Sequence, residues 1–307
     1  MAPSRVLVIK LGALGDFVQA LGPMAAIRRH HRDARVTLLT TPPFRDFAQA
    51  SQLFDEVWDF GRPSGVDVAG WLSLRRRLRQ GGFARVYDLQ TSDRSSFYFR
   101  LFWPGPWPEW SGMARGCSHP HANPRRDFMH TVERQAEQLA MAGIADVPPA
   151  DFAWAVADIG QFRLPARFAL LAAGGTRHRP GKRWPADRYG ELARGLFAQG
   201  VMPALIGAED ETDIMAVVKN ACPDAVDLSG RTNLLDIVAL ARKAEMAVGN
   251  DTGPMHLIAG AGCRSLVLYS HDSDPALCGQ RGPAVTIIRR QSLASLAVAD
   301  VLAALGR

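Results

Sequence analysis

The chemically richest stretch of this chain is residues 248–261: Val248-Gly249-Asn250-Asp251-Thr252-Gly253-Pro254-Met255-His256-Leu257-Ile258-Ala259-Gly260-Ala261. An apolar run ends in Gly-Asn-Asp, and a helically spaced apolar pattern then begins at Met255, which predicts a strand, a tight turn and a helix. The first N–H groups of a helix have no intrahelical partners and its dipole is positive at that end, so the turn suits a phosphate. Asp251 and Thr252 are N-cap candidates, Pro254 fits the first turn, and Gly253 lets a ligand approach the backbone. A plain capped helix would explain those four residues but does not require His256 beside the same opening. A second group, 176–184, places Arg177, Arg179, Lys182 and Arg183 together with His178 just after an apolar run. A third, Lys10 to Asp16, is a Gly-containing loop whose closing aspartate sits where a helix should start, at the carboxyl end of the first strand.

The elements that must position these groups follow from short β-branched runs alternating with helical spacing. Residues 5–9, 36–40, 56–60 and 84–89 read as buried strands, with helical patterns at 17–30, 44–51, 70–80 and 128–143. Residues 94–126 break that rhythm. Phe97, Tyr98, Phe102, Trp103, Trp107 and Trp110 alternate there with Arg94, Arg100, Arg115, Arg125 and Arg126, which reads as an irregular stretch for sugar or lipid contact, or equally as core packing for Phe97, Phe102 and Trp103. Pro148-Pro149 marks a linker. The pattern restarts with strands at 168–173, 202–206, 246–248, 265–269 and 285–288 and helices at 187–199, 210–220, 234–242 and 292–305. The expected architecture is therefore α/β: two doubly wound parallel-sheet domains, 1–150 and 151–307, facing across a cleft, with the last helix returning to the first domain. No GxGxxG follows the first strand, so a redox dinucleotide is not favoured and no cofactor is expected.

The chain has 307 residues, 47% of them hydrophobic and 21% charged, enough for two ordinary cores. No apolar run approaches the ~20 residues that span a bilayer, and the N-terminus shows no signal-peptide pattern, so a cytoplasmic location is expected. Four scattered cysteines suggest neither a disulfide framework nor a metal knuckle, and no metal site is expected. The net charge of +6 is uneven: residues 1–150 hold 19 Lys and Arg against 14 Asp and Glu, and residues 151–307 hold 17 against 16. The basic first half fits an anionic glycolipid or a membrane surface, whereas nucleic acid has no supporting motif. Arg75-Arg76-Arg77 reads equally well as a solvated helix face.

The run NDTGPMHLIAGAG, the N-terminal KLGALGD and the central TRHRPGKRWP together resemble glycosyltransferase family 9, the ADP-heptose:lipopolysaccharide heptosyltransferases, over nearly the whole chain. The resemblance implies a glycosyltransferase-B fold and inverting, metal-independent transfer of heptose from ADP-heptose to an inner-core Kdo or heptose acceptor, at the inner face of the cytoplasmic membrane. It also implies that Asp16 is the general base, and that Lys182, two places before Trp184-Pro185, contacts the diphosphate. Thr176, Arg177, Asp251, Thr252, Gly253 and His256 are further donor-binding candidates, and Glu209 is expected at the ribose, with Asp210 and Glu211 crowding that assignment. Lys10, Asp93 and Arg94 are expected at the acceptor. One departure stands out: where the family commonly has Phe-Gly-Pro-Thr, this chain has Tyr269-Ser270-His271-Asp272-Ser273-Asp274-Pro275, on the donor side. A related transferase with another sugar or acceptor, protein or glycan, and a non-catalytic nucleotide-sugar binder are the competing readings.

Overall fold

Apolar strands that pair in parallel, with helices as crossovers, account for most of the chain. A computed structural model describes residues 3–60, 62–175 and 179–306. The chain divides into two units, Met1–Asp151 and Phe152–Arg307. In chain order the first contains β1 (Arg5–Ile9), α1 (Leu14–Gln19), α2 (Leu21–His30), β2 (Arg35–Leu39), α3 (Arg45–Ala50), β3 (Glu56–Trp58), α4 (Val68–Gln80), β4 (Arg85–Asp88), α5 (Asp93–Arg100), β5 (Glu109–Gly112), β6 (His119–Pro120) and α6 (Thr131–Met141). Its sheet is ordered β3-β2-β1-β4-β5-β6, and its strand pairs are parallel. Strand order reverses between β1 and β4. In doubly wound sheets ligands bind beyond the carboxyl ends of the strands at such a reversal.

The second unit runs β7 (Phe168–Ala172), α7 (Ala186–Ala198), β8 (Met202–Leu205), α8 (Thr212–Ala221), β9 (Val226–Asp227), α9 (Leu234–Lys243), β10 (Met246–Asn250), α10 (Gly253–Gly260), β11 (Ser265–Tyr269), α11 (Pro275–Cys278), β12 (Val285–Arg289) and α12 (Val298–Leu305). Its sheet order is β12-β11-β10-β7-β8-β9, again parallel, so the first and fourth strands of each unit lie side by side at the reversal. The core of this unit gathers Leu171, Trp184, Tyr189, Leu196, Val248 and Leu268, and α12 adds Val298, Val301 and Leu305 to it. The last helix thus buries its apolar face within its own unit.

Three details differ from the sequence reading. The helix expected over 17–30 is two helices joined at Ala20. Pro23 has no N–H to give the carbonyl of Gln19, and restarting the helix at Leu21 puts the proline in a first turn, where no donor is needed. The stretch 94–126 is irregular over most of its length, as expected, but it carries three regular elements. Ser92 and Ser95 cap each other's backbone N–H groups, at 3.2 and 3.0 Å, and start α5, and β5 and β6 then extend the sheet. Phe102 and Trp110 are buried, whereas Phe97, Trp103 and Trp107 are exposed, so the composition of that stretch mixed core with surface. Finally, 3₁₀ turns at 209–211 and 293–295 replace the starts of two helices expected at 210 and 292.

Candidate active site

In the first unit the reversal point is built from charged groups. Lys10 follows β1 directly and is only 3% exposed; its ammonium donates to the carbonyl of Leu89 across the reversal, at 3.0 Å. Burial pulls its pKa down to about 8, against the charges of Asp16 and Asp88, which hold it up. Asp88, the last residue of β4, is fully buried. Its Oδ1 accepts from the N–H groups of Gln90 (3.1 Å) and Thr91 (3.0 Å), while Oδ2 has no hydrogen-bond partner among the described residues. Burial pushes its pKa up to about 6 despite those amides and the Lys10 charge.

The loop after β1 is pinned from both sides. Gln90 Oε1 accepts from Leu11 N at 2.8 Å, and the Leu11 carbonyl accepts from Thr41 Oγ1 (3.2 Å) and Arg62 Nη2 (2.6 Å). Gly12 has φ +108°, and a Cβ there would lie 2.8 Å from the Phe44 ring, so this bend requires glycine. Asp16 lies in the first turn of α1, three residues past the N-cap Ala13, and is partly exposed. A negative side chain is favoured at that end of a helix, but the capping position belongs to another residue. Of the acceptor candidates beyond Lys10, Arg94 donates to the Pro63 carbonyl at 2.7 Å and lies over the Trp71 ring, and Asp93 is exposed at the start of α5.

In the second unit the reversal point is neutral. Asn250, fully buried at the end of β10, donates from Nδ2 to the carbonyls of Ala173 (2.9 Å) and Gly174 (3.0 Å). Its Oδ1 accepts from Trp184 N (2.9 Å) and Tyr189 OH (3.1 Å), so the Trp184-Pro185 pair is tied to the strand that leads into α10. The charges come one residue later. Asp251 Oδ2 accepts from Lys182 Nζ (2.8 Å) and Ser273 Oγ (2.6 Å); Lys182 also reaches Ser273 Oγ at 3.1 Å. The single proton of the Tyr269 hydroxyl lies between Asp251 Oδ1 (2.9 Å) and Gln280 Oε1 (2.8 Å), and Gln280 Nε2 lies 3.3 Å from the same Oδ1. Burial alone would raise the Asp251 pKa, but the Lys182 and Ser273 hydrogen bonds, the Lys182 charge and Tyr269 outweigh it and leave it below the usual value. Burial and the Asp251 charge hold the Tyr269 phenol well above its ordinary value, which keeps it a donor.

Asp251 was one of two N-cap candidates. The cap position belongs to Thr252 instead, and the Thr252 side chain makes no capping bond; its hydroxyl is buried with no hydrogen-bond partner among the described residues. Gly253 and Pro254 begin α10, and His256 is buried on its first turn. Glu209 is exposed. Glu211 is the acid that closes the loops, accepting from Gly175 N (2.6 Å) and Ala208 N (2.9 Å) at the ends of β7 and β8. Thr176 and Arg177 lie outside the described residues.

This arrangement offers an anion three kinds of group: a lysine ammonium with two of its three donor directions used by Asp251 and Ser273, the head of α10, and the buried Thr252 hydroxyl. Sequence reasoning missed Ser273, Tyr269 and Gln280, although the unusual 269–275 loop was the signal for the first two. It also missed Asp88, whose signal was a carboxylate closing an apolar strand.

Two doubly wound units, each with polar groups beyond its strand reversal, form the glycosyltransferase-B fold. The description "Glycosyltransferase family 9 (heptosyltransferase)" matches residues 71–299, and the chain belongs to this family. Lipooligosaccharide heptosyltransferase 2 of Haemophilus influenzae is 33% identical over 120 residues, covering 38% of this chain and 34% of that protein. The chain thus matches about a third of the length of that relative, as it does for the Escherichia coli lipopolysaccharide heptosyltransferase 2 at 34%. Among solved structures, a glycosyltransferase family 9 protein from Veillonella parvula superposes with a TM-score of 0.86 at 16% identity, covering 99% of this chain and 96% of that one. E. coli heptosyltransferase WaaC with ADP gives 0.76 at 22% identity, covering 98% and 99%.

Proposed function

We propose that the protein is an inverting glycosyltransferase that moves heptose from ADP-heptose to an inner-core lipopolysaccharide acceptor. The observation that carries this reading is the Lys182–Asp251 pair at the head of α10, beside an N-cap residue, Thr252, whose hydroxyl makes no capping bond. A departing diphosphate gains there from the Lys182 ammonium and the first amides of α10, charge held in place before the reaction begins. In the same reading Gly253 allows the phosphates close to the backbone, Asp251 and His256 face the sugar or diphosphate, Thr176 and Arg177 assist, and exposed Glu209 takes the ribose hydroxyls. In the first unit Asp16 accepts the proton of the attacking hydroxyl, while Lys10, Asp93 and Arg94 serve the acceptor. An adenine nucleotide as donor is supported by the family and by the shared fold of the heptosyltransferase solved with ADP. An acceptor glycolipid resides in a membrane, so the reading includes work at a membrane surface by a protein in the cytoplasm.

The 269–275 loop favours a second reading in one respect. Ser273 and Tyr269, which contact Asp251, belong to the segment that departs from the family pattern, and this supports a different sugar on the donor. Both readings meet one experiment: nucleotide stabilisation followed by transfer from ADP-heptose to Kdo-lipid A. ADP should raise the melting temperature and UDP should not. Asp16→Asn should lower turnover by about 100- to 10,000-fold with ADP binding retained. Stabilisation by UDP instead of ADP would overturn the donor assignment, and an unchanged rate in the variant would remove Asp16 as the base.

A further inference from the structure

Helix α4 carries an unusual outer stripe. Its sequence, VAGWLSLRRRLRQ, has no acidic residue. Leu74 and Leu78 face the core, and Arg77 lies over the rings of Trp58 (4.9 Å) and Phe60 (5.7 Å). On the outside, Val68, Leu72, Arg75, Arg76 and Arg79 follow one another at helical spacing, with Val68 67% and Leu72 56% exposed. Arg75 and Arg79 do not simply wave in solvent. They donate to the carbonyls of Trp103 (2.8 and 3.0 Å), and Arg79 also to that of Gly105 (3.2 Å), binding the loop after α5 along the helix.

That loop presents an indole. Trp103 is 67% exposed, and Phe97, whose ring meets Trp71 edge-on at 5.4 Å, is 49% exposed. Four large apolar side chains and the guanidinium groups of Arg75, Arg76, Arg79 and Arg100 therefore share one contiguous face. Between residues 68 and 108 the chain has seven arginines and two aspartates, and one of those, Asp88, is fully buried. A solvated helix face ordinarily mixes both signs of charge and keeps leucine, phenylalanine and tryptophan off the surface.

From this face we infer that α4 and the 101–108 loop dock the protein onto an anionic phospholipid bilayer. Arginine matches phosphate headgroups through paired N–H donors, indole rings favour the level of the headgroups, and aliphatic side chains gain by entering the acyl boundary. A second copy of the chain is a poor occupant, because a symmetric contact would oppose arginine to arginine. Nucleic acid would use the charges and leave Val68 and Leu72 without reward. The inference takes its bilayer from the reading of a membrane glycolipid acceptor, but its test contains neither donor nor acceptor, so the two can fail separately.

The test is flotation of the full chain with vesicles of phosphatidylethanolamine and phosphatidylglycerol, against vesicles of phosphatidylcholine. The wild type should float with the anionic vesicles, less so as salt rises, and not with the neutral ones. Arg76→Glu with Arg100→Glu spares the two arginines that hold the loop and should weaken binding by more than about tenfold, since each cation near such a surface contributes on the order of a fivefold attraction and two are lost. Leu72→Gln with Trp103→Gln should abolish the blue shift of tryptophan emission on vesicles, with melting temperature checked for both pairs. No flotation of the wild type, or unchanged binding by both folded double variants, would overturn the inference. So would a dimer in sedimentation that the Arg76→Glu, Arg100→Glu pair dissociates while vesicle binding is absent.

Discussion

The two units solve the same topological problem with opposite chemistry. Each places its first and fourth strands side by side, β1 with β4 and β7 with β10, and each bridges the gap beyond them with a side chain donating to backbone carbonyls. In the first unit the bridge is the Lys10 ammonium, beside a fully buried aspartate. In the second it is the amide of Asn250, whose four nearest polar contacts satisfy both ends of the group. Asp88 and Asn250 close equivalent strands, and they differ by one side-chain atom. The difference shows where titratable charge is stored: at the sheet itself in the first unit, and one residue beyond it, on Asp251, in the second.

The two aspartates make the same point. Asp251 receives Lys182, Ser273 and Tyr269 and is held below the usual carboxylate range, so it contributes stability above that range and loses it as pH falls through its folded value. Asp88 has the amides of Gln90 and Thr91, but burial outweighs them and raises it to about 6. Between its unfolded value of about 4 and its folded value of about 6, the native state binds the extra proton. Stability therefore falls as pH rises through that window, and the loss persists above it.

Substitutions at these positions would break or sharpen the contrast. The largest effect is expected from Asp251→Ala, which leaves the Lys182 ammonium, 16% exposed, without its counter-charge. Denaturant unfolding should show a loss of about 3–5 kcal/mol, together with loss of stabilisation by ADP; a cost under about 1 kcal/mol would mean that solvent replaces the pair. Asn250→Asp gives the second unit the charge of the first. A carboxylate cannot donate to Ala173 and Gly174, and at pH 8 the variant should lose about 2–4 kcal/mol, less in acid, where the carboxyl is protonated. The reciprocal Asp88→Asn should be the mildest. It keeps an oxygen for Gln90 and Thr91 and removes a buried charge, so a gain of up to about 3 kcal/mol is expected at pH 8, vanishing below pH 4. If the wild type and Asp88→Asn have parallel stability profiles between pH 4 and 6, Asp88 does not titrate in that window.

Much of this was legible before any coordinates. The strands at 5–9 and 265–269 are continuous apolar runs, buried on both faces as parallel strands must be, and the structure has them with those bounds. The turn at 249–253 was legible because glycine, a cap residue and proline each have a local reason to be there. The 94–126 stretch was not. Its aromatic residues divide between core and surface by tertiary contacts, and the mutual Ser92–Ser95 capping that begins α5 is weaker in sequence than a Ser-x-x-Glu box. Glu209 and Glu211 differ by two positions, and only the path of the loop determines which carboxylate meets the amides of Gly175 and Ala208.

By itself the sequence determined the class of fold, the family, and the helix start at 252–253, because periodicity and capping are local properties that neighbouring residues settle among themselves. Only the tertiary structure decided that Asp251 pairs with Lys182 rather than capping α10, that Ser273 and Tyr269 from an atypical loop complete its coordination, and that Asp88 is fully buried. Those partners are separated by tens of residues along the chain. What brings them together is strand order, and the ionisation of each group follows from how much water that order excludes.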